Sequence, residues 1–544
     1  MNMKTMSRRV LVVCMAVLIT AAFCITNPAE TFAASKLKVT PASKTLKAGK
    51  TAAFKANKSV KWSVVKGKSV IKITSKSSKK AVVKGLKAGK AVLAAKSGKT
   101  VVKASVKVVK AGKVSAPKSF SLAASCTHNS LGVNGACVVS VAKVAPASAS
   151  KSVTFSSSDE SIATVNAKSG LVTGVKTGVV TITAVSNVNK AVKASIQLNV
   201  VKTQCGTVDT KIDMTNAKTY PKGKTVKLWV PVAQTTDNQK VKDVKVSAPK
   251  AAVAKITTDI EGNKAAYIEW DKNTEPADRT ADISFYACRK EVVKPTLKES
   301  GKVDTKKMAK YLKETSKSGS LTSGIVKESS DEALKDAGNP TTVLGKTRAI
   351  YDWTVKHLVR KDSNETSVGK VLGCGDGDVV RILKEKQPGG HCTDINSVFI
   401  ALLRSQGIPA REMFGIRMTT AENSETGDIT GGQHCRAQFY LPGTGWVEAD
   451  PGDALKMIKT KANGDKSSPE AKAFIEQYWG GNNEQWVELA EGRDLTLNPK
   501  QEGPALNNFG YPYAEVDGEM ADYYNAGTFA YTITFTKGTD TDCC

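Results

Sequence analysis

Histidine is scarce in this sequence, with four among 544 residues. Chemistry that needs an imidazole therefore has a short list of candidates: His128, His357, His391 and His434. From Lys36 to Ser158 there is no arginine, aspartate or glutamate, against 26 lysines. The net charge of +30 is almost wholly that segment's, and only +4 belongs to the remainder. Aromatics make 6% of the chain. No aromatic interleaving and no nucleic-acid motif accompanies the lysines, which argues against a nucleic-acid partner. Long apolar runs are missing too. Past about Ile25 nothing is long and apolar enough to cross a bilayer, so the mature chain is expected to have no transmembrane segment.

The run before Ile25 reads as an export signal. Lys4, Arg8 and Arg9 precede an apolar stretch from Val10, and Thr31-Phe32-Ala33 offers small residues for cleavage after Ala33. The expectation is a signal peptide over 1–33 and a secreted, extracellular or cell-surface-associated product. Neither Cys14 nor Cys24 has the preceding small residue of a lipid-attachment site. Nine of the 11 cysteines lie beyond this leader. Export permits disulfides, and an odd number leaves at least one thiol over.

The length suggests several domains. Short strand-like runs broken by Gly-Lys turns fill residues 36–113, and residues 114–202 repeat the plan, so both read as β-sandwiches. The second contains Val153-Thr154-Phe155-Ser156-Ser157-Ser158-Asp159, then Gly170-Leu171-Val172-Thr173-Gly174, then Val180-Thr181-Ile182-Thr183-Ala184. These residues resemble bacterial immunoglobulin-like group 2 domains. The first module ends alike, in Val83-Lys84-Gly85-Leu86-Lys87-Ala88-Gly89. The resemblance implies spacers or binding modules rather than chemistry. Residues 205–295 are again β-rich and precede the core. Cys205 with Cys288, and Cys126 with Cys137, look like structural disulfides. Near Lys302 amphipathic helical patterns begin. One is expected at Thr305–Thr315, another from Pro340 to about Leu358 with Asn339 as N-cap. A core over 302–465 and a C-terminal extension packing on it, 466–544, complete the expected order.

The decisive stretch is Gly389-Gly390-His391-Cys392-Thr393-Asp394-Ile395-Asn396. Apolar residues at Ile395, Val398, Phe399, Leu402 and Leu403 give a helix with one buried face, stopped by Gly407 and Pro409. Cys392 sits at its N-terminus, where unpaired N–H groups and the helix dipole favour a thiolate. A nucleophilic thiol needs a base and the base an orienting group. His434 opens an alternating run to Leu441. A Pro442-Gly443-Thr444-Gly445 turn follows, and Trp446–Asp450 returns, bringing Asp450 back toward His434. Ideal pairing leaves them slightly out of step, so a bulge or a shifted turn is expected. A buried structural cysteine is the competing reading of Cys392 taken alone.

Four pieces together resemble the transglutaminase-like core: Gly390–Asn396, Gly407-Ile408-Pro409-Ala410-Arg411, Gln433-His434-Cys435-Arg436-Ala437 and Gly445–Pro451. The resemblance spans roughly 340–455. It implies a papain-like α+β fold with a catalytic triad of Cys392, His434 and Asp450. No cofactor and no metal is expected. It also implies a protein or peptide amide as substrate. The Cys392 N–H is one oxyanion donor, and Gln387 and Trp353 are candidates for the other. The thioester chemistry covers hydrolysis, deamidation and transamidation. The alternative is a non-catalytic envelope-binding or structural protein whose papain-like domain is inactive.

Other signals are weaker. Leu441-Pro442-Gly443-Thr444-Gly445 matches a sortase anchoring pattern, but it joins two strands of the core and reads as a turn. Cys374-Gly375-Asp376-Gly377-Asp378 could suggest a metal loop but lacks a completing ligand, and a turn is favoured. Cys374 and Cys435 are either bonded or separate thiols. The Lys-rich module is either a solvated surface or a binder of an anionic cell-envelope polymer.

Overall fold

Alternation of small apolar residues with lysine dictates the first module. In Thr100–Val109, Ala104, Val106 and Val108 turn inward while Lys103 and Lys107 stay exposed, the period-two pattern of a half-buried strand. Eight strands from Val39–Thr40 to Thr100–Val109 form two four-stranded sheets, with Phe54 and Trp62 buried in their shared core. The computed structural model describes residues 36–110, 115–126, 129–294, 296–362, 373–418, 426–522, 525 and 527–538. The expected signal peptide, His128, Cys543 and Cys544 lie outside the described residues. The chain divides into two compact units, Met1–Val114 and Ser115–Cys544.

The second unit opens with another sandwich of two four-stranded sheets, from Ser119–Ala124 to Lys193–Val201. Cys126 and Cys137 are bonded there. A third sandwich follows, and Cys205 and Cys288 form its disulfide across paired strands. One of its sheets runs Gln239–Ser247, Thr280–Lys290, Thr203–Asp213, Ala530–Lys537, Thr426–Asp428. The other runs Val253–Thr258, Lys264–Trp270, Val226–Val232, Tyr513–Val516, Glu519–Met520. This revises the expected 205–295 domain and its separate C-terminal extension. The end of the chain does not simply pack on the core; it returns to supply strands to both sheets. Ile533 and Phe535 enter the same apolar cluster as Val208, Ile212 and Phe285. An exposed edge on each sheet is thereby paired.

Between these β-strands lies the α+β core. Its helices are α1 (Gly324–Asp336), α2 (Val343–His357), α3 (Val379–Lys384), α4 (Cys392–Ser405), α5 (Pro451–Lys461) and α6 (Pro469–Gln477). Its antiparallel sheet has β1 (Ala410–Arg417), β2 (Gln433–Leu441), β3 (Gly445–Ala449) and β4 (Trp486–Glu491), in the order β3-β2-β1-β4. The expected helix at 305–315 is only a short 3₁₀ turn, Ala309–Tyr311. Helix α2 starts later than expected. Thr342, not Asn339, caps it through a hydrogen bond from Gly345 N, and Asn339 instead takes a left-handed turn at φ 55°. Helix α4 departs from a one-faced amphipath. Every residue from Cys392 to Arg404 is buried, so it is the central helix of the core. Its polar residues find partners there; Arg404, for example, donates to Glu412 at 2.9 Å.

The β2–β3 hairpin needs no bulge. Its register is continuous, from Leu441 opposite Gly445 to Ala437 opposite Ala449. The sortase-like pentapeptide is its turn, with Thr444 N bonded to Leu441 O and Gly443 at φ 91°. Among the described residues, no helix is long and apolar enough to cross a membrane.

Candidate active site

Cys392 is the first residue of α4, and the approach to it is fixed by glycine. A Cβ on Gly389 would meet Val359 O at 2.1 Å, and one on Gly390 would meet Asp394 Oδ2 at 2.3 Å. Asp394 gathers the surrounding backbone: Oδ2 accepts from His391 N at 2.9 Å and Oδ1 from Gly377 N at 2.8 Å. The sulfur belongs to the first residue of a helix buried from Cys392 to Arg404, and partial positive charge at a helix N-terminus favours an anion.

His434 begins the inward part of β2, and its Nε2 bonds Asp450 Oδ2 at 2.7 Å. Asp450 stands one residue beyond β3, opposite Arg436 in register and therefore diagonal to His434. It closes the gap by leaving the strand as the N-cap of α5, accepting Asp453 N at 3.0 Å. The hairpin's slight mismatch is thus absorbed by a helix cap rather than a bulge. With Nε2 engaged, Nδ1 is left for the thiol, and the charge of His434 favours the Cys392 thiolate.

Several groups hold this pair, and the sequence pattern did not single them out. Asn396, one turn into α4, donates to Asp450 Oδ1 at 3.2 Å and to Cys435 O at 2.8 Å, and it accepts Gly452 N at 3.2 Å. Asp453 Oδ2 lies 3.3 Å from His434 Nε2, and Arg417 Nη2 donates to Asp453 Oδ1 at 2.7 Å and to Oδ2 at 3.0 Å. Trp486 Nε1 bonds His434 O at 2.9 Å. Arg436, stacked 4.6 Å over the Trp486 ring, is pushed down to about 10 by burial. The i, i+4 spacing of Cys392 and Asn396 on one helix was the available signal for Asn396. Asp453 and Arg417 come together only through the tertiary fold.

The electrostatics follow from these contacts. Hydrogen bonds from the neighbouring Cys374 and Cys435 thiols hold Cys392 well below the usual thiol range, with His434's charge adding to them and burial opposing. Cys374 is raised by its interaction with Cys392, and Cys435 by burial. Burial and Arg417 pull His434 down, but Asp453, Asp450 and the Cys392 sulfur outweigh them, so its pKa is raised. The arrangement favours thiolate beside imidazolium. Cys374 and Cys435 are free thiols, not a disulfide. The 373–378 segment is a turn leading to the Asp378 cap of α3.

Cys392 and His434 open onto a cleft of about 780 Å³ that also exposes Arg417, Gln433, Asn483 and Tyr511. Neither oxyanion candidate lies on it. Trp353 is buried against His357 on α2, with ring centroids 4.3 Å apart, and Gln387 is exposed. Gln433 does line the cleft, and its buried Nε2 has no hydrogen-bond partner among the described residues.

Residues 331–451 match the family model of the transglutaminase-like superfamily, and 127–196 match that of the bacterial Ig-like domain (group 2). An uncharacterized protein of Haemophilus influenzae is 37% identical over 328 residues, 56% of this chain and 84% of its own length. The uncharacterized protein YebA of Bacillus subtilis is 27% identical over 127 residues, 22% of this chain and 16% of that one. Among solved structures, a candidate cysteine protease from Cytophaga hutchinsonii aligns over 62% of this chain and 98% of its own, at 16% identity and a TM-score of 0.35. The periplasmic domain of TgpA from Pseudomonas aeruginosa aligns over 48% and 92%, at 12% identity and a TM-score of 0.24. The Ig-like match fits an extracellular or envelope location. On the core match and the extent of the Haemophilus relative, the chain belongs to the transglutaminase-like superfamily.

Proposed function

We propose that the protein is a secreted cysteine enzyme acting on the amide bonds of proteins or peptides, with Cys392 as nucleophile, His434 as base and then acid, and Asp450 as its orienting group. The observation that carries this reading is the joint placement of a helix-start thiol and a His434–Asp450 pair at 2.7 Å on one cleft. The Cys392 thiolate attacks the carbonyl carbon. His434 gives its proton to the departing ammonia or amine, leaving a thioester on Cys392. Water, deprotonated by His434, then completes hydrolysis or deamidation, and a primary amine completes transamidation; either restores the thiolate. The Cys392 N–H and the uncommitted Gln433 amide are the donors we assign to the oxyanion. The Lys-rich module is the part we assign to an anionic envelope polymer.

The test is incubation with glutamine-containing peptides, with and without an added primary amine, read by mass. Deamidation, cleavage or amine incorporation by the full chain, absent from Cys392→Ala, is expected. No conversion across a broad peptide set, with Cys392 reduced and the protein folded, would leave the non-catalytic reading.

A further inference from the structure

Cys374, Cys392 and Cys435 reach one point from three elements: the turn before α3, the start of α4, and β2. Their sulfurs all lie within 4.8 Å of one another. They are 3%, 4% and 4% exposed, and none is disulfide-bonded. Sulfurs bound to one ion at about 2.3 Å stand roughly 4 Å apart, so side-chain adjustments well under an ångström would bring all three onto a common centre.

The two thiols that the amide chemistry leaves unused are not merely packed. Tyr511 OH donates to Cys374 Sγ at 3.2 Å, and Thr393 Oγ1 donates to Cys435 Sγ at 2.9 Å. Asn508 Nδ2 also points at Cys435 Sγ, at 3.8 Å. Donors aimed at sulfur are the outer partners that a metal-bound thiolate takes. The turn carrying Cys374 is fastened to the helix start as well. Thr393 N donates to Cys374 O at 2.9 Å, and Gly377 N to Asp394. Gly375, at φ 94°, has no room for a Cβ, which would meet Asp394 Oδ2 at 2.1 Å. Three sulfurs held in advance, with Phe414 and Tyr511 packed around them, make a preorganised soft-donor site.

We propose that these three thiols bind one thiophilic d¹⁰ cation, Zn²⁺ or Cu⁺, as thiolates. Cys374 and Cys392 both line the cleft, so its mouth is the route of entry and the side on which a fourth ligand can come from solvent. With Cys392 bound to the ion, its sulfur lone pair is unavailable to a carbonyl carbon. The ion is then a reversible inhibitor rather than a cofactor. That consequence rests on Cys392 being the nucleophile; binding itself does not.

The experiment uses the full chain with Cys14, Cys24, Cys543 and Cys544 each changed to Ser, its two disulfides intact and the three core thiols reduced. Zn²⁺ is added, excess is dialysed away, and retained metal and the rate of iodoacetamide labelling at Cys392 are measured. One Zn²⁺ per chain and at least about tenfold slower labelling are expected, both reversed by a chelator. Cys374→Ser and Cys435→Ser should each abolish the protection. Should either fail to fold, Tyr511→Phe keeps the ring, removes a donor to sulfur, and should weaken Zn²⁺ binding about tenfold. The proposal is overturned if no Zn²⁺ is retained, if labelling of Cys392 is unaffected by it, or if folded serine variants and Tyr511→Phe bind as the parent does. A Cys392 disulfide forming instead, with no metal held, overturns it equally. Zinc retention by a chain whose chelator-stripped form turns over no peptide would sink the proposed enzyme activity and leave the site standing.

Discussion

Single residues set the direction of the chemistry and of its pH dependence. In the proposed reaction, Cys392 must be unprotonated and His434 protonated for attack. Cys392's pKa lies well below its ordinary 9.0 and His434's above its ordinary 6.5. Activity should therefore rise as pH climbs through the lowered thiol value and fall as it passes the raised imidazole value, with its plateau between them. Asp450→Asn removes a carboxylate that favours the imidazolium. The alkaline limb should move to lower pH and kcat should drop by up to about 10⁴-fold, the scale associated with an orienting carboxylate. A pH–rate profile of both proteins checks this, and an unmoved limb would remove Asp450 from its role. Asn396→Ala leaves Asp450 and the Cys435 carbonyl each short of a donor. A stability loss of about 1–3 kcal/mol is expected, read by denaturant unfolding, together with a fall in kcat larger than any change in KM.

At the scale of elements, what the sequence disclosed depended on how local the cause was. The start and stop of α4, the β2–β3 turn and both disulfides rest on neighbouring residues or simple spacing, and each was legible. The true cap of α2 was missed because Asn339-Pro340 resembles a helix start, whereas Asn339's left-handed backbone makes a turn and Thr342 does the capping. Asp450 comes back to His434, but from a helix cap one residue past the strand on which it was expected. The role of residues 513–537 was hidden, since strand partners some 300 residues away leave no local mark. Truncation before Tyr513 should therefore disrupt more than a tail. It removes Ala530–Lys537 from beside Thr203–Asp213 and Tyr513–Val516 from beside Val226–Val232. Loss of cooperative unfolding and rapid proteolysis within 203–290 are expected; a truncated chain that melts like the parent would contradict the shared sandwich. Cys205→Ser with Cys288→Ser opens a link between residues 83 apart, at an expected cost of about 2–5 kcal/mol.

For the whole molecule, the division after Val114 separates charge from chemistry. In the proposed envelope role, the field of the Lys-rich module extends about a Debye length, near 8 Å at physiological salt, and would draw polyanions without shape-specific contacts. Retention on anionic envelope material should weaken steeply with salt, persist in Cys392→Ala, and disappear when residues 36–113 are deleted, with peptide turnover preserved. Salt-independent retention, or retention unaffected by the deletion, would assign the lysines to a solvated surface alone. The most direct test of the central claim is the intact mass of the full chain, acid-quenched early in its reaction with a glutamine-containing peptide. One acyl adduct is expected, mapped to Cys392 and released by hydroxylamine. An adduct on another residue, or turnover that survives Cys392→Ala, would contradict the account.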